Sequence, residues 1–186
     1  EFVHLNSHDK DHIYYGLEME LPLGSTTPDD LNEVYDCVYP FGVCYFDSGI
    51  EAVTCPATYK AQKRILKYFW TRFHKKHGEL RPCSTSGHHV HISAAPLLPQ
   101  RSVRLFEFFN RQSFARLRNF VAQRQSWSAC YPVADRELNA VVEQLKDQPL
   151  ENILLRLAGF GRGSMHVNTR HETHEVRIFR HPSNYL

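Results

Sequence analysis

The 186-residue chain has no C-x-x-C pair, no apolar run approaching the length of a membrane span, no internal repeat and no low-complexity tract. Its five cysteines, Cys37, Cys44, Cys55, Cys83 and Cys130, are widely spaced and odd in number, so they cannot all pair within one chain. No disulfide framework is implied, and a reduced, cytoplasmic setting fits best. The segment Glu1 to Lys10 is polar rather than signal-like, and no membrane partner is expected. Strong charge bias is also missing. With 22 Lys and Arg against 20 Asp and Glu, the formal net charge is +2, which does not suggest a dedicated nucleic-acid binder.

The remaining composition, 42% hydrophobic and 23% charged, is that of an ordinary folded chain long enough to bury a core. We read residues 1–186 as a single domain; because it starts at Glu rather than Met, it is also compatible with a portion of a longer product. Twelve histidines are many for this length, and they gather at residues 74 to 91 and 166 to 181.

Alternation of apolar and polar residues marks the strands. In Ile13 to Leu21, Ile13, Tyr15, Leu17, Met19 and Leu21 share one parity, leaving Glu18 and Glu20 on the other. Gly42 to Thr54 reads as a hairpin turning at Asp47-Ser48-Gly49, with Glu51 borne on its second arm. Gly87 to Ala94 places His88, Val90 and Ile92 on one parity and His89, His91 and Ser93 on the other. Ser164 to Thr169 and Thr173 to Phe179 close the chain, the latter setting Val176 and Ile178 opposite Glu175 and Arg177.

Three helical regions separate these strands. Cys55-Pro56 opens the first, Gly78 stops it, and Ile65, Leu66, Phe69, Trp70 and Phe73 form its apolar stripe. Its basic residues, Lys60, Lys63, Arg64, Lys67, Lys75 and Lys76, read as a solvated face rather than a binding patch. The second runs over Arg101 to Arg124, with Leu105, Phe108, Phe109, Phe114, Leu117, Phe120 and Val121 as core candidates. The third spans Asp135 to Leu157 and is broken near Pro149.

Each strand therefore has one apolar and one chemical parity. If the strands pair in one sheet with helices over the apolar side, Glu18, Glu20, Glu51, His89, His91, Ser93, Glu175 and Arg177 meet on the other side. Charged groups gathered there need a ligand, a metal or one another. Carboxylates with one or two imidazoles suit Mg²⁺ or Mn²⁺, and the Arg177 guanidinium adds a fork for phosphate oxygens. Taken singly, each piece has a plain explanation: E-x-E occurs on solvated sheets, and Glu175-x-Arg177 could be a salt bridge. The ordered set with matching parity is what points to nucleotide phosphoryl chemistry.

Four stretches resemble the glutamine synthetase and glutamate-cysteine ligase superfamily, most closely its amidoligase-type carboxylate-amine ligases. They are Y-G-L-E-M-E (Tyr15 to Glu20), F-D-S-G-I-E-A-V-T-C-P (Phe46 to Pro56), S-G-H-H-V-H-I-S (Ser86 to Ser93) and H-E-V-R-I-F-R-H-P-S-N-Y-L (His174 to Leu186). The resemblance implies an α+β fold, a largely antiparallel curved sheet with helices on one face and a metal and nucleotide site on the other. It implies Glu18, Glu20, Glu51, His89 and Glu175 as metal ligands. His91, Ser93, Arg162 and Arg177 would lie at the nucleotide, with Asn168 in the same zone. Glu18, Glu51 and Arg177 are the expected catalytic residues. The implied cofactors are ATP and Mg²⁺ (or Mn²⁺), and the implied partners are a carboxylate and an amine, such as a peptide or amino acid. A homo-oligomer is compatible with this, and nucleic acid is not expected. The reaction implied is amide formation through an acyl phosphate. One departure is that the second acidic strand shows a single clear Glu where larger relatives offer two carboxylates, so either Asp47 substitutes or the metal count is reduced.

Two alternatives stand beside it. A metal-dependent nickase of the H-hydrophobic-H type would use His89 and His91 for metal and Tyr59 as nucleophile, but leaves Glu175-x-Arg177 unexplained. A catalytically degenerate amidoligase-like module would keep the scaffold as a binding surface.

Overall fold

The computed structural model describes residues 13–21, 27–46, 49–78, 87–94, 97, 99–114, 116, 134–145, 147–158, 165–168 and 173–180. Strands and helices intermix in an α+β chain, and every strand pair with a described register is antiparallel. The chain divides into two compact units, one built chiefly from Tyr14–His88 and the other from His89–Phe179.

The first unit contains β1 (Tyr15–Leu21), α1 (Pro28–Val38), β2 (Gly42–Phe46), β3 (Ile50–Thr54) and α2 (Tyr59–His77), with its strands ordered β2-β3-β1. Register puts Met19 opposite Ala52 and Leu21 opposite Ile50, so these four apolar side chains share a face. Both helices bury their stripes there: Val34, Cys37 and Val38 from α1, and Phe69, Trp70 and Phe73 from α2. Gly42 is required by the close approach of the strands, because a Cβ on it would lie 2.1 Å from the Val53 carbonyl oxygen.

Helix α1 was not expected from the sequence, though its start is fully specified. Thr27 caps the helix by accepting from the Asp30 amide, Asp30 reaches back to the Thr27 amide, and Pro28 opens the first turn. The acidic first turn hid this signal by resembling a polar loop. Helix α2 stops at Gly78 as expected, its φ of 70° suiting glycine. It begins later than Pro56, however. Ala57 is held in an antiparallel bridge to Tyr15, which keeps Cys55–Ala57 out of the helix and leaves Thr58 as the cap.

Gln62 ties that junction together. Its amide donates to the carbonyls of Tyr15 and Cys55, and its oxygen accepts from the Thr54 hydroxyl, which in turn accepts from the Leu17 amide. The side chain is buried. Gln62→Leu is therefore expected to destabilise the protein by about 2–3 kcal/mol, because it strands buried polar partners. Urea denaturation at neutral pH measures this, and an unchanged midpoint would show the network to be dispensable.

The second unit contains β4 (Gly87–Ser93) from His89 onward, α3 (Pro99–Asn110), α4 (Asp135–Leu145), α5 (Leu150–Ala158), β5 (Met165–Asn168) and β6 (Thr173–Arg180), with strand order β4-β6-β5. Its core joins Val103 and Phe106 of α3, Leu138, Val141 and Leu145 of α4, and Ile153 and Leu157 of α5 to Met165, Val167 and Val176. Val90 and Ile92 pack against the same cluster. The break between α4 and α5 falls at Pro149, as the sequence indicates.

The helical region expected over Arg101 to Arg124 is interrupted after Asn110, where α3 ends, and Arg116 is again helical. Asn110 is buried and uses its amide to bond the Phe106 and Met165 carbonyls and the Met165 amide, which ends the helix by pinning it to β5. A 3-10 turn, Gln112–Phe114, follows and leaves Phe114 39% exposed, so it is not a core residue. Leu117, Phe120 and Val121 lie outside the described residues.

Candidate functional site

In the first unit the carboxylates follow from strand register. Glu18 is opposite Val53, Glu20 is opposite Glu51, and Glu51 is opposite Tyr45 on its other side. Directly opposed residues share a face, so Glu18, Glu20, Glu51 and Tyr45 project away from the helix-covered core. Tyr45, Glu51 and Glu20 form a row across three strands. Glu51 is only 6% exposed, and opposed side chains in such a pair stand about 5 Å apart at Cβ. Two carboxylates so placed repel, and burial of one strengthens the repulsion. The Gly87 amide donates to Glu20 Oε2 at 2.6 Å and supplies a partial positive charge. A divalent cation would reverse the sign of the whole interaction.

In the second unit the chemical parities of β4 and β6 meet. His89 Nδ1 lies 3.5 Å from Glu175 Oε1, and Arg177 donates to that same oxygen. His89 and Glu175 are buried and Arg177 is largely so. One turn of the pleat further on, His91 Nδ1 is 3.3 Å from the Thr173 hydroxyl, with Ser93 half-buried at the same parity. An imidazole, a carboxylate and a guanidinium thus share one oxygen-centred cluster. The oxygen and nitrogen donors suit a hard divalent cation, and the Arg177 fork suits phosphate.

His88 behaves differently from its neighbours. It is buried and stacks on Trp70 of α2 at 5.9 Å with an 18° interplanar angle, so it belongs to the aromatic core. His174 faces the core of the second unit as well. Its Nε2 sits 3.0 Å from the Ser102 hydroxyl, and burial pushes its pKa down to about 4, so the ring is neutral near pH 7.

Of the residues expected from sequence, Glu18, Glu20 and Glu51 are brought onto one face of the first unit. His89, Glu175 and Arg177 are in mutual contact in the second, with His91 and Ser93 following along the strand. Arg162 and Asp47 lie outside the described residues. Asn168 is placed opposite Thr173 at the end of β5.

One residue of the same face was missed. His166 stands directly opposite Glu175 across the β5–β6 pair. The signal was the alternation of buried Met165 and Val167 with His166 and Asn168, the same period-two pattern that marked the other strands.

A scan against protein-family models finds no match to this chain, and a search of curated protein sequences also finds none.

Proposed function

We propose that the chain is an ATP-dependent carboxylate-amine ligase with a glutamine synthetase-like catalytic fold, acting in the cytoplasm. The observation that carries this reading is the opposed pair Glu20 and Glu51, with Glu51 buried, on a face that also carries Glu18. Opposed carboxylates with one member buried are a donor arrangement that suits a hard divalent cation. The cluster of His89, Glu175 and Arg177 supports the same reading, since it joins metal-type donors to a phosphate-binding fork.

In this reading Glu18, Glu20 and Glu51 are metal ligands of the first unit and His89 and Glu175 are metal ligands of the second, and the Mg²⁺ or Mn²⁺ they would hold would supply charge neutralisation to the phosphates of ATP. Arg177 binds the transferring phosphoryl group and is kept in orientation by Glu175. His91 and Ser93 contact the nucleotide, and Arg162 is a further candidate for the phosphates. The substrate carboxylate attacks the γ-phosphate and ADP departs; the amine then attacks the acyl phosphate and displaces inorganic phosphate, and Glu51, on the same face as Glu18, takes the proton released from the amine.

The nickase alternative requires a metal on His89 and His91 with Tyr59 as nucleophile. It leaves Glu175 and Arg177, which stand beside His89, without a role.

Phosphate release from ATP tests the proposal. A panel of amino acids, short peptides and amines is expected to contain a carboxylate and amine pair that together accelerate release, with magnesium required. Arg177→Gln is expected to abolish the acceleration. Release that ignores both substrates, or an arginine variant that retains full activity, would contradict the assignment.

A further inference from the structure

The net charge of +2 conceals a sharp segregation within the first unit. Helix α2 carries Lys60, Lys63, Arg64, Lys67, Arg72, Lys75 and Lys76 and no acidic residue over its length, whereas α1 carries Asp29, Asp30, Glu33 and Asp36 and no Lys or Arg. The two helices pack together, but their charges compensate only at the C-terminal end of α2. There Lys76 Nζ is 3.5 Å from Asp36 and His77 Nε2 is 3.4 Å from Glu33. Lys60, Lys63, Arg64 and Lys67 are all exposed, and no described carboxylate lies within 4.0 Å of any of them.

This arrangement opposes helix formation in two ways. The four cations sit at i, i+3 and i+4 spacings from one another, where like charges destabilise a helix. They also occupy the N-terminal half, where the helix dipole is positive and a solvated face favours Asp or Glu. An ordinary solvated helix mixes signs. A set of cations held against both local rules marks a surface that meets an anion.

We propose that the N-terminal half of α2 is a docking surface for single-stranded nucleic acid. The four cations span about 10 Å, two turns of helix, and can follow a few consecutive phosphates. Tyr59, at the head of the same stripe, is 69% exposed and meets Tyr15 edge-on, ring centroids 6.3 Å apart. An exposed ring beside a line of cations is what an unstacked base requires. A membrane surface fits poorly, because the apolar side of α2, Ile65, Phe69, Trp70 and Phe73, is buried in the core. The surface lies on the helix side of the first-unit strands, whereas Glu18, Glu20 and Glu51 project from the other side, so it is separate from the carboxylate face and independent of the ligase reading.

Fluorescence anisotropy with a labelled oligouridylate tests this on the full chain. Binding is expected at low salt, weakening as salt rises with a log–log slope of roughly −3, the value for four neutralised phosphates on a single strand. Replacing Lys60, Lys63, Arg64 and Lys67 together by Glu is expected to lower affinity by at least about a hundredfold, since it removes and then opposes the counterion-release contribution. The helix should tolerate that variant, because acidic residues suit its N-terminus, and circular dichroism confirms folding. Tyr59→Ala is expected to lose about tenfold by removing a stacked base. The proposal is overturned by an absence of binding at 50 mM salt (roughly the low end of the range where such contacts dominate), by binding that the quadruple variant retains, by a Tyr59→Ala protein that binds as tightly as the original, or by tighter binding to duplex or to phosphatidylserine vesicles than to the oligonucleotide.

Discussion

Glu51→Gln is expected to weaken magnesium-dependent ATP binding by at least about a hundredfold, because loss of a direct ligand should exceed the 10–100-fold effect of losing a ligand's own support. Glu51 is buried and stands directly opposite Glu20, so in the ligase reading its carboxylate is one of the donors that a divalent cation draws together. The original protein gains linkage stabilisation from magnesium-ATP that the variant cannot. Thermal melts with and without magnesium-ATP read the difference: the melting temperature of the original is expected to rise and that of the variant to stay nearly unchanged. An equal rise in both proteins would show that Glu51 is not a ligand. Glu175→Gln provides the contrast: Glu175 already holds Arg177 and approaches His89, so its neutralisation is expected to lower both stability and ATP binding.

The second large effect is a loss of stability in acid that originates at His174. Burial lowers the pKa of this imidazole from its ordinary 6.5 to about 4. As the pH falls below about 6.5, the unfolded chain takes up a proton that the folded chain does not, so stability declines until the folded pKa is reached. Integrated from pH 7 to pH 4, the decline is about 3 kcal/mol at 1.36 kcal/mol per pKa unit. His174→Gln retains a polar group near Ser102 and cannot titrate. It is expected to be less stable than the original at pH 7 through imperfect packing, but to lose about 3 kcal/mol less on going to pH 4. Urea denaturation of both proteins at the two pH values measures the difference, and parallel declines would place the acid sensitivity elsewhere.

What the sequence made legible was the period-two alternation of the strands. Parity alone separated Glu18 and Glu20 from Met19 and Leu21, and His89 and His91 from Val90 and Ile92, because a strand must send successive side chains to opposite faces whatever its neighbours do. It also separated His88 from His89, and the stack of His88 on Trp70 agrees with that division. Strand register was not legible. That Glu20 stands opposite Glu51, and His166 opposite Glu175, depends on hairpin geometry and long-range pairing that no local pattern encodes.

Helix boundaries failed where tertiary contacts decide them. Pro56 looked like a helix start until the Ala57–Tyr15 bridge claimed the backbone, and α3 ended early because Asn110 found its partners on Met165 of a distant strand. Helix α1 was missed although Thr27, Pro28 and Asp30 specify its start locally, since four polar or constrained residues in a row also describe a loop. The uncompensated charge at the N-terminal half of α2 was visible as a list of lysines, but its meaning depends on which turn α1 neutralises.

Calorimetric titration of ATP into the full-length protein, with and without magnesium, tests the central claim most directly. The ligase reading predicts saturable binding that requires the metal and is lost in Glu51→Gln and Glu175→Gln. Failure of the folded protein to bind ATP in the presence of magnesium, or binding that both variants retain, would contradict it.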